Sequence, residues 1–174
     1  MDPLAPLARA LSERSVRYVL IGVGGANYYA HAGATVFTTK DSDLFLPPDP
    51  DNLVQCWTAC EAVGLELWSG DEPLDSPRDR WLAERVVSRR AVVKATGSDE
   101  LEIDLTLSMA AFEFETVWNE RRTFVVDAVD ISVARLLHIV TSKQSVGRLK
   151  DRLFLATHRE ALEDLLRREK RKEP

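Results

Sequence analysis

The sequence lacks several features that would assign it to common protein classes. Its 174 residues include only two cysteines, which excludes a disulfide framework. No apolar run approaches the ~20 residues that a membrane-spanning helix needs. The N-terminus shows no secretory signal, so a cytoplasmic protein is expected. The net charge of −5 argues against an extended surface that coats nucleic acid.

Apolar residues make up 45% of the chain, enough for a genuine core in a protein of this length. Hydrophobic periodicity predicts strands over 17–22, 38–46, 65–68, 86–96, 101–107 and 123–126. It predicts helices over 4–14, 26–32, 49–63, 109–117, 133–144 and 149–170. A basic run over 167–172 is interpreted as the solvated end of the last helix. This order predicts an α/β fold with a mixed sheet flanked by helices: a core over 1–130, and a C-terminal helical segment over 131–174 packed on it.

Two aspartates alternate along the second predicted strand. Because successive strand residues point to opposite faces, Asp41 and Asp43 should emerge together. Ser42, Leu44 and Leu46 should face the core. Two neighbouring carboxylates repel each other unless a cation neutralises them, which makes the pair a candidate metal site.

A third carboxylate lies on a later strand, over 101–107. The aliphatic residues there share one face, which leaves Glu102, Asp104 and Thr106 on the other. Solvent alone would explain such a polar row. If Asp104 lies beside Asp41 and Asp43, however, the three acids form an oxygen-rich site of the kind that Mg²⁺ or Mn²⁺ prefers.

A glycine-rich turn follows the first predicted strand. The run from Val19 to Ala26 contains Gly24 and Gly25 just before a helix, where free N–H groups favour an anion. It matches neither a Walker A loop nor a dinucleotide fingerprint. A simple tight turn and a phosphate-binding turn both fit.

The combination resembles the DNA polymerase β-type nucleotidyltransferase superfamily, and within it the small bacterial proteins of the AbiEii and MNT kinds. The shared motifs are the Gly24-Gly25 turn, the stretch Thr39-Lys-Asp-Ser-Asp-Leu44 and the later Glu102-Ile-Asp104. The tail, with a late Lys143 and the Arg-Leu-Lys-Asp run over 148–151, is similar to the R-x-K-D of AbiEii-like members. The resemblance covers about residues 17 to 158.

The resemblance implies a metal-dependent enzyme that uses an NTP, and it implies roles for individual residues. Metal ligands would be Asp41, Asp43 and Asp104, with Asp104 also acting as base and Lys143 neutralising phosphate charge. Nucleotide or acceptor contacts would come from Gly24, Gly25, Thr39, Lys150 and Asp151. Independently of the resemblance, Lys143 shares a helical face with apolar residues, which suits a lysine that meets an anion or one that extends to solvent.

By resemblance, the setting would be a toxin–antitoxin or phage-defence pair, with tRNA or a cognate toxin or antitoxin protein as acceptor. A second interpretation is nucleotidyl transfer to an aminoglycoside-like small molecule, since a polycation suits an acidic cleft. A third is a degenerate, non-catalytic binding module. Two departures favour the third: Phe37 stands where many relatives have arginine, and Gly25-Ala26 stands where catalytic members often have Gly-Ser.

Overall fold

One mixed sheet of eight strands organises the part of the chain that the computed structural model describes, residues 2–30, 37, 41–98 and 100–171. The strands are β1 (Val19–Ile21), β2 (Asp41–Phe45), β3 (Glu66–Ser69), β4 (Glu72–Pro73), β5 (Val93–Thr96), β6 (Glu102–Thr106), β7 (Arg122–Val126) and β8 (Val129–Val133). Their order is β4-β3-β5-β6-β2-β1-β8-β7. The β1–β8 and β2–β6 pairs are parallel, and the other pairs are antiparallel.

The described residues also form eight helices. They are α1 (Ala5–Glu13), α2 (Gly22–Ala30), α3 (Pro50–Ala62), α4 (Arg80–Arg89), α5 (Phe114–Asn119), α6 (Leu136–Val146), α7 (Leu149–Thr157) and α8 (Arg159–Arg171). Helices α1, α3 and α4 pack in series, whereas α2 lies on β1 and β2 and contacts α6, which in turn contacts α7. This architecture confirms the predicted fold class. None of the described helices has the length and apolar content that a membrane crossing requires.

Helix α6 is held at its N-terminus by α8. The carboxylate of Glu169 is buried and accepts hydrogen bonds from the backbone N–H groups of Leu136 (2.9 Å) and Leu137 (3.3 Å). These N–H groups have no partner within their own helix. The negative charge of the carboxylate is also stabilised by the positive end of the helix dipole. The described basic residues of the run over 167–172 are exposed at the end of α8, as expected, whereas Glu169 within the run is buried.

Several segments differ from the pattern predicted from the sequence. The helix predicted over 149–170 is two helices, α7 and α8, because α7 ends at its C-cap His158, and the helix predicted over 109–117 begins only at Phe114. Val86 lies in α4 rather than in a strand, and the strand there begins only at Val93. The paired β-branched residues Val86 and Val87 suggested a strand, but Asp79 caps the helix by accepting a hydrogen bond from the N–H of Leu82.

A further difference is a missed hairpin. Strand β8 pairs with β7 through the turn Asp127-Ala128, whose φ angles are 51° and 61°. Two consecutive positive φ angles define the type I′ turn, which favours asparagine, aspartate or glycine at the first position and glycine at the second, where this chain has Ala128. The sequence therefore gave no strong turn signal. The predicted division of the chain at residue 130 falls inside β8, and it stays a prediction about domains.

Candidate functional site

Two of the three predicted acids are neighbours in the sheet. In the parallel pairing of β2 with β6, Asp43 lies opposite Asp104 and Asp41 lies opposite Glu102. The side chains of paired residues share a face. The structure thus brings Asp43 beside Asp104 on one face of the sheet, with Asp41 one row further along.

The core side of β2 is as expected, with Leu44 and Leu46 buried. Phe45 follows the face of the aspartates yet is also buried, because its ring packs edge-to-face on Phe114 at 5.3 Å. The polar face of β2 is therefore confined to its first residues.

Asp43 is the electrostatic centre of this group. Burial raises its pKa above the ordinary value, and the negative charges of Asp104 and Asp41 raise the pKa further. The positive charges of Lys143 and Lys150 act in the opposite direction. A cation bound beside Asp43 would relieve the same repulsion, so the chemistry of the donor set suits a hard divalent metal.

The metal role of the three aspartates stays a prediction. Within the described ranges, no group of three or more His, Cys, Asp or Glu side chains is arranged to hold a metal ion. Asp104 instead lies 3.9 Å from the ammonium of Lys94, which also contacts Glu102 at 3.4 Å. Sequence reasoning missed Lys94. The signal that could have found it is the position of this charged residue between Val93 and Ala95, which are buried, on strand β5, which pairs with β6.

Gly22 is a second residue that sequence reasoning left out of the site. It begins α2 with a φ of +69°, and a Cβ there would lie 2.7 Å from Oδ2 of Asp43. Its missing side chain therefore makes room for the Asp43 carboxylate.

The two glycines predicted to hold phosphate contact the protein itself. A Cβ on Gly24 would lie 3.2 Å from Oγ of Ser42, and one on Gly25 would lie 3.0 Å from the carbonyl oxygen of Leu20. Both glycines thus allow α2 to lie close against β1 and β2, whatever role their N–H groups have. Thr39, the other predicted nucleotide contact on this side, lies outside the described residues.

Lys143 and Asp151 form an ion pair that joins α6 to α7. The ammonium of Lys143 lies 3.2 Å from Oδ1 of Asp151, and Nε of Arg148 donates to Oδ2 at 2.8 Å. Asp151 is only 1% exposed. Burial alone would raise its pKa, but the hydrogen bonds from Arg148 and Lys143 outweigh it, and the pKa is lowered. The sequence analysis noted Arg148 only as part of the run over 148–151 and gave it no role in the site.

Phe37 is one of the two residues at which the sequence departs from the family it resembles. Its side chain is 1% exposed and packs edge-to-face on Phe154 (5.3 Å) and His158 (4.8 Å) of the α7 region. Asn27 holds its backbone through two hydrogen bonds, at 2.7 and 3.0 Å. The buried Phe37 ring therefore supports Phe154 and His158 from within the protein.

Two adjoining cavities open from the aspartates. The first, of about 320 Å³, has Thr106, Ser108 and Ser142 in its lining and is called the α6 cavity here. The second, of about 480 Å³, has Lys150, Phe154 and His158 in its lining and is called the α7 cavity. Five residues line both: Asp43, Asp104, Lys143, Arg148 and Asp151.

No protein-family model and no curated protein matches this chain in sequence. Its structure is similar to the solution structure of the antibiotic-resistance factor ANT(2″)-Ia, with a TM-score of 0.51 and 15% identity over 94% of this chain and 86% of that one. It is also similar to the crystal structure of ANT(2″)-Ia in complex with adenylyl-2″-tobramycin, with a TM-score of 0.50 and 14% identity over 96% of this chain and 94% of that one. Neither likeness points to the AbiEii or MNT kinds. At this identity the likeness concerns the fold alone, and the chain has a nucleotidyltransferase-like fold.

Proposed function

We propose that this protein is a metal-dependent nucleotidyltransferase, which moves a nucleoside monophosphate from Mg²⁺- or Mn²⁺-bound NTP to an acceptor hydroxyl. The observation that carries the proposal is the parallel register of β2 and β6, which sets Asp43 beside Asp104 in a cleft that also contains Lys143. Phosphoryl transfer needs mainly positioning and charge stabilisation, and acidic and basic groups converge here.

In this proposal Asp41, Asp43 and Asp104 hold the divalent cation. Such a cation, when bound, would neutralise charge on the attacking and leaving oxygens. Asp104 accepts the proton of the acceptor hydroxyl. Lys143 contacts the phosphate oxygens, and its ion pair with Asp151 already directs its ammonium toward the cleft.

The remaining predicted residues contribute to nucleotide binding. Gly24 and Gly25 lie in the first turn of α2, where backbone N–H groups are available to phosphate. Lys150 adds positive charge in the α7 cavity, and Asp151 positions Lys143. Thr39 precedes the first aspartate and is assigned to the same nucleotide side.

The acceptor in our first proposal is a tRNA 3′ end or a hydroxyl of a cognate toxin or antitoxin protein, as the AbiEii- and MNT-like motifs imply. A second candidate is an aminoglycoside. It is favoured by the likeness to ANT(2″)-Ia with bound adenylyl-2″-tobramycin and by the net charge of −5, which suits a polycationic acceptor.

The test is transfer of radiolabel from each α-labelled NTP, with Mg²⁺ or Mn²⁺, to total tRNA, to a candidate partner protein or to tobramycin. Asp43→Asn and Asp104→Asn should abolish the label. Asp71→Asn, on an exposed loop, is the matched control and should leave it unchanged. The labelled acceptor would identify the substrate class.

Nucleotide binding is tested separately by thermal stabilisation, because a ligand that binds only the folded state raises its stability. Absence of both label and Mg·NTP stabilisation would contradict the enzyme proposal and support a non-catalytic module. Stabilisation without transfer to these three acceptors would require a wider acceptor search and would refute the acceptors named here.

A further inference from the structure

The cleft has two sides with different chemistry. The five residues that line both cavities include Asp43, Asp104 and Lys143. In the proposed function these three residues take part in the reaction. The reacting phosphorus must therefore lie where the two cavities meet. Each reactant then extends into one cavity, and the residues that line only that cavity decide which reactant fits.

The α7 cavity suits a nucleoside triphosphate. Among the described residues that line it alone are a cation, Lys150, and two aromatic rings, Phe154 and His158, whose centroids are 4.9 Å apart. A triphosphate needs more cations than the shared Lys143 and Arg148, and a nucleobase needs an aromatic or apolar surface. This cavity is also the larger of the two.

The α6 cavity has a different lining. The described residues that line it alone are uncharged, and three of them carry hydroxyls: Thr106, Ser108 and Ser142. Oγ1 of Thr106 donates to the carbonyl oxygen of Ser108 at 3.1 Å and accepts from its N–H at 3.3 Å, which fixes the position of Ser108. Within the described part of the chain, the side-chain hydroxyls of Ser108 and Ser142 make no hydrogen bond to protein.

We propose that the α7 cavity binds the NTP and the α6 cavity binds a sugar ring of the acceptor, with Ser108 and Ser142 as acceptor-positioning residues. This inference rests on the proposed function. An uncharged lining with hydroxyls suits an uncharged group with several hydroxyls. A sugar ring offers hydroxyls next to the reacting one, whereas a serine or threonine acceptor offers only the one that reacts.

The step is balanced with these two reactants alone. The sugar oxygen forms a bond to the α-phosphorus of the NTP, and the bond from that phosphorus to the bridging oxygen breaks. Pyrophosphate leaves with its electron pair toward the α7 cavity. The hydroxyl proton passes to Asp104.

The first experiment measures Mg·ATP binding without acceptor, by thermal shift. Lys150→Ala should raise the Kd of Mg·ATP about tenfold, since a charge-assisted contact is lost. Ser142→Ala should leave this Kd unchanged. Lys170→Ala and Ser145→Ala are matched controls, because both residues are exposed helical positions outside the two cavities.

The second experiment measures transfer. Ser142→Ala and Ser108→Ala should each raise the acceptor KM about threefold to tenfold, as expected for a lost hydrogen bond, while the KM for NTP stays constant. RNA with a 3′-ribose, the same RNA with a 3′-dideoxyribose end, and tobramycin distinguish the two sources of a sugar hydroxyl.

The outcomes separate this inference from the proposed function. If the wild type neither binds Mg·NTP nor transfers label, both fail. If the wild type transfers label but Ser142→Ala weakens nucleotide binding and Lys150→Ala raises only the acceptor KM, the division of the cleft is reversed and the inference alone is overturned. Label found only on a protein side chain would likewise overturn the sugar assignment and leave the transferase intact.

Discussion

Replacement of Gly22 by alanine should separate folding from activity. Gly22 has a φ of +69°, and a Cβ there would lie 2.7 Å from Oδ2 of Asp43. The left-handed backbone conformation costs a residue with a side chain about 1 kcal/mol. The close contact adds little to this cost, because the atom that must move is the end of a flexible side chain.

That atom, however, belongs to the central carboxylate of the proposed site. Displacement of a reacting or metal-binding group by about 1 Å can lower a rate about 100-fold. We therefore expect Gly22→Ala to lower the free energy of unfolding by about 1 kcal/mol and to lower transfer by about 100-fold.

Gly64→Ala is the matched control. Gly64 has a φ of +82°, and a Cβ on it would meet no atom within 4 Å. The Gly64→Ala variant should lose a similar free energy of unfolding and keep full transfer activity. The assays are urea unfolding, read as the free energy of unfolding, and label transfer. Equal activity of the two variants would refute the reasoning, because it would show that Asp43 need not stay where Gly22 allows it.

Three further predictions concern the supports of the cleft. Asp151→Asn should lower the free energy of unfolding by about 2 kcal/mol in urea, between the values for exposed and buried ion pairs, because Lys143 is 13% exposed; a change below about 0.5 kcal/mol would contradict it. Burial lowers the pKa of His138. The unfolded chain therefore binds this proton more readily, and stability falls as pH drops below about 6.5. His138→Gln should remove that part of the pH dependence, and an identical profile would show that it does not arise there. Phe37→Ala should cost about 3 kcal/mol in the same unfolding assay, since a large buried ring is lost; a loss below about 1 kcal/mol would mean that the site collapses around the gap.

The pairing of the aspartates shows what strand periodicity can and cannot predict. The alternation of side chains along a strand placed Asp41 and Asp43 on one face from local sequence alone. It could not say which strand would lie beside them. That β6 is the parallel neighbour of β2, and that Lys94 lies opposite Asp104, depends on contacts between distant segments.

The missed features have different causes. The hairpin at Asp127-Ala128 has alanine where a type I′ turn favours glycine, so β8 was not recognised. Glu169 was taken as part of a solvated basic run because its partners, the first N–H groups of α6, are more than thirty residues away. Backbone donors have no signature in the sequence, so a buried cap of this kind is visible only in the folded chain.

Phe37 and Ala26 were the sequence features that most favoured an inactive module. The structure weakens the argument from Phe37. An arginine at position 37 would have to bury its charge where Phe37 packs against Phe154 and His158. The cleft has positive charge from other positions: Lys143 and Arg148 line both cavities, and Lys150 lines the α7 cavity. Phe37 at this position therefore does not argue against phosphate binding in this chain, because Lys143, Arg148 and Lys150 supply positive charge to the cavities.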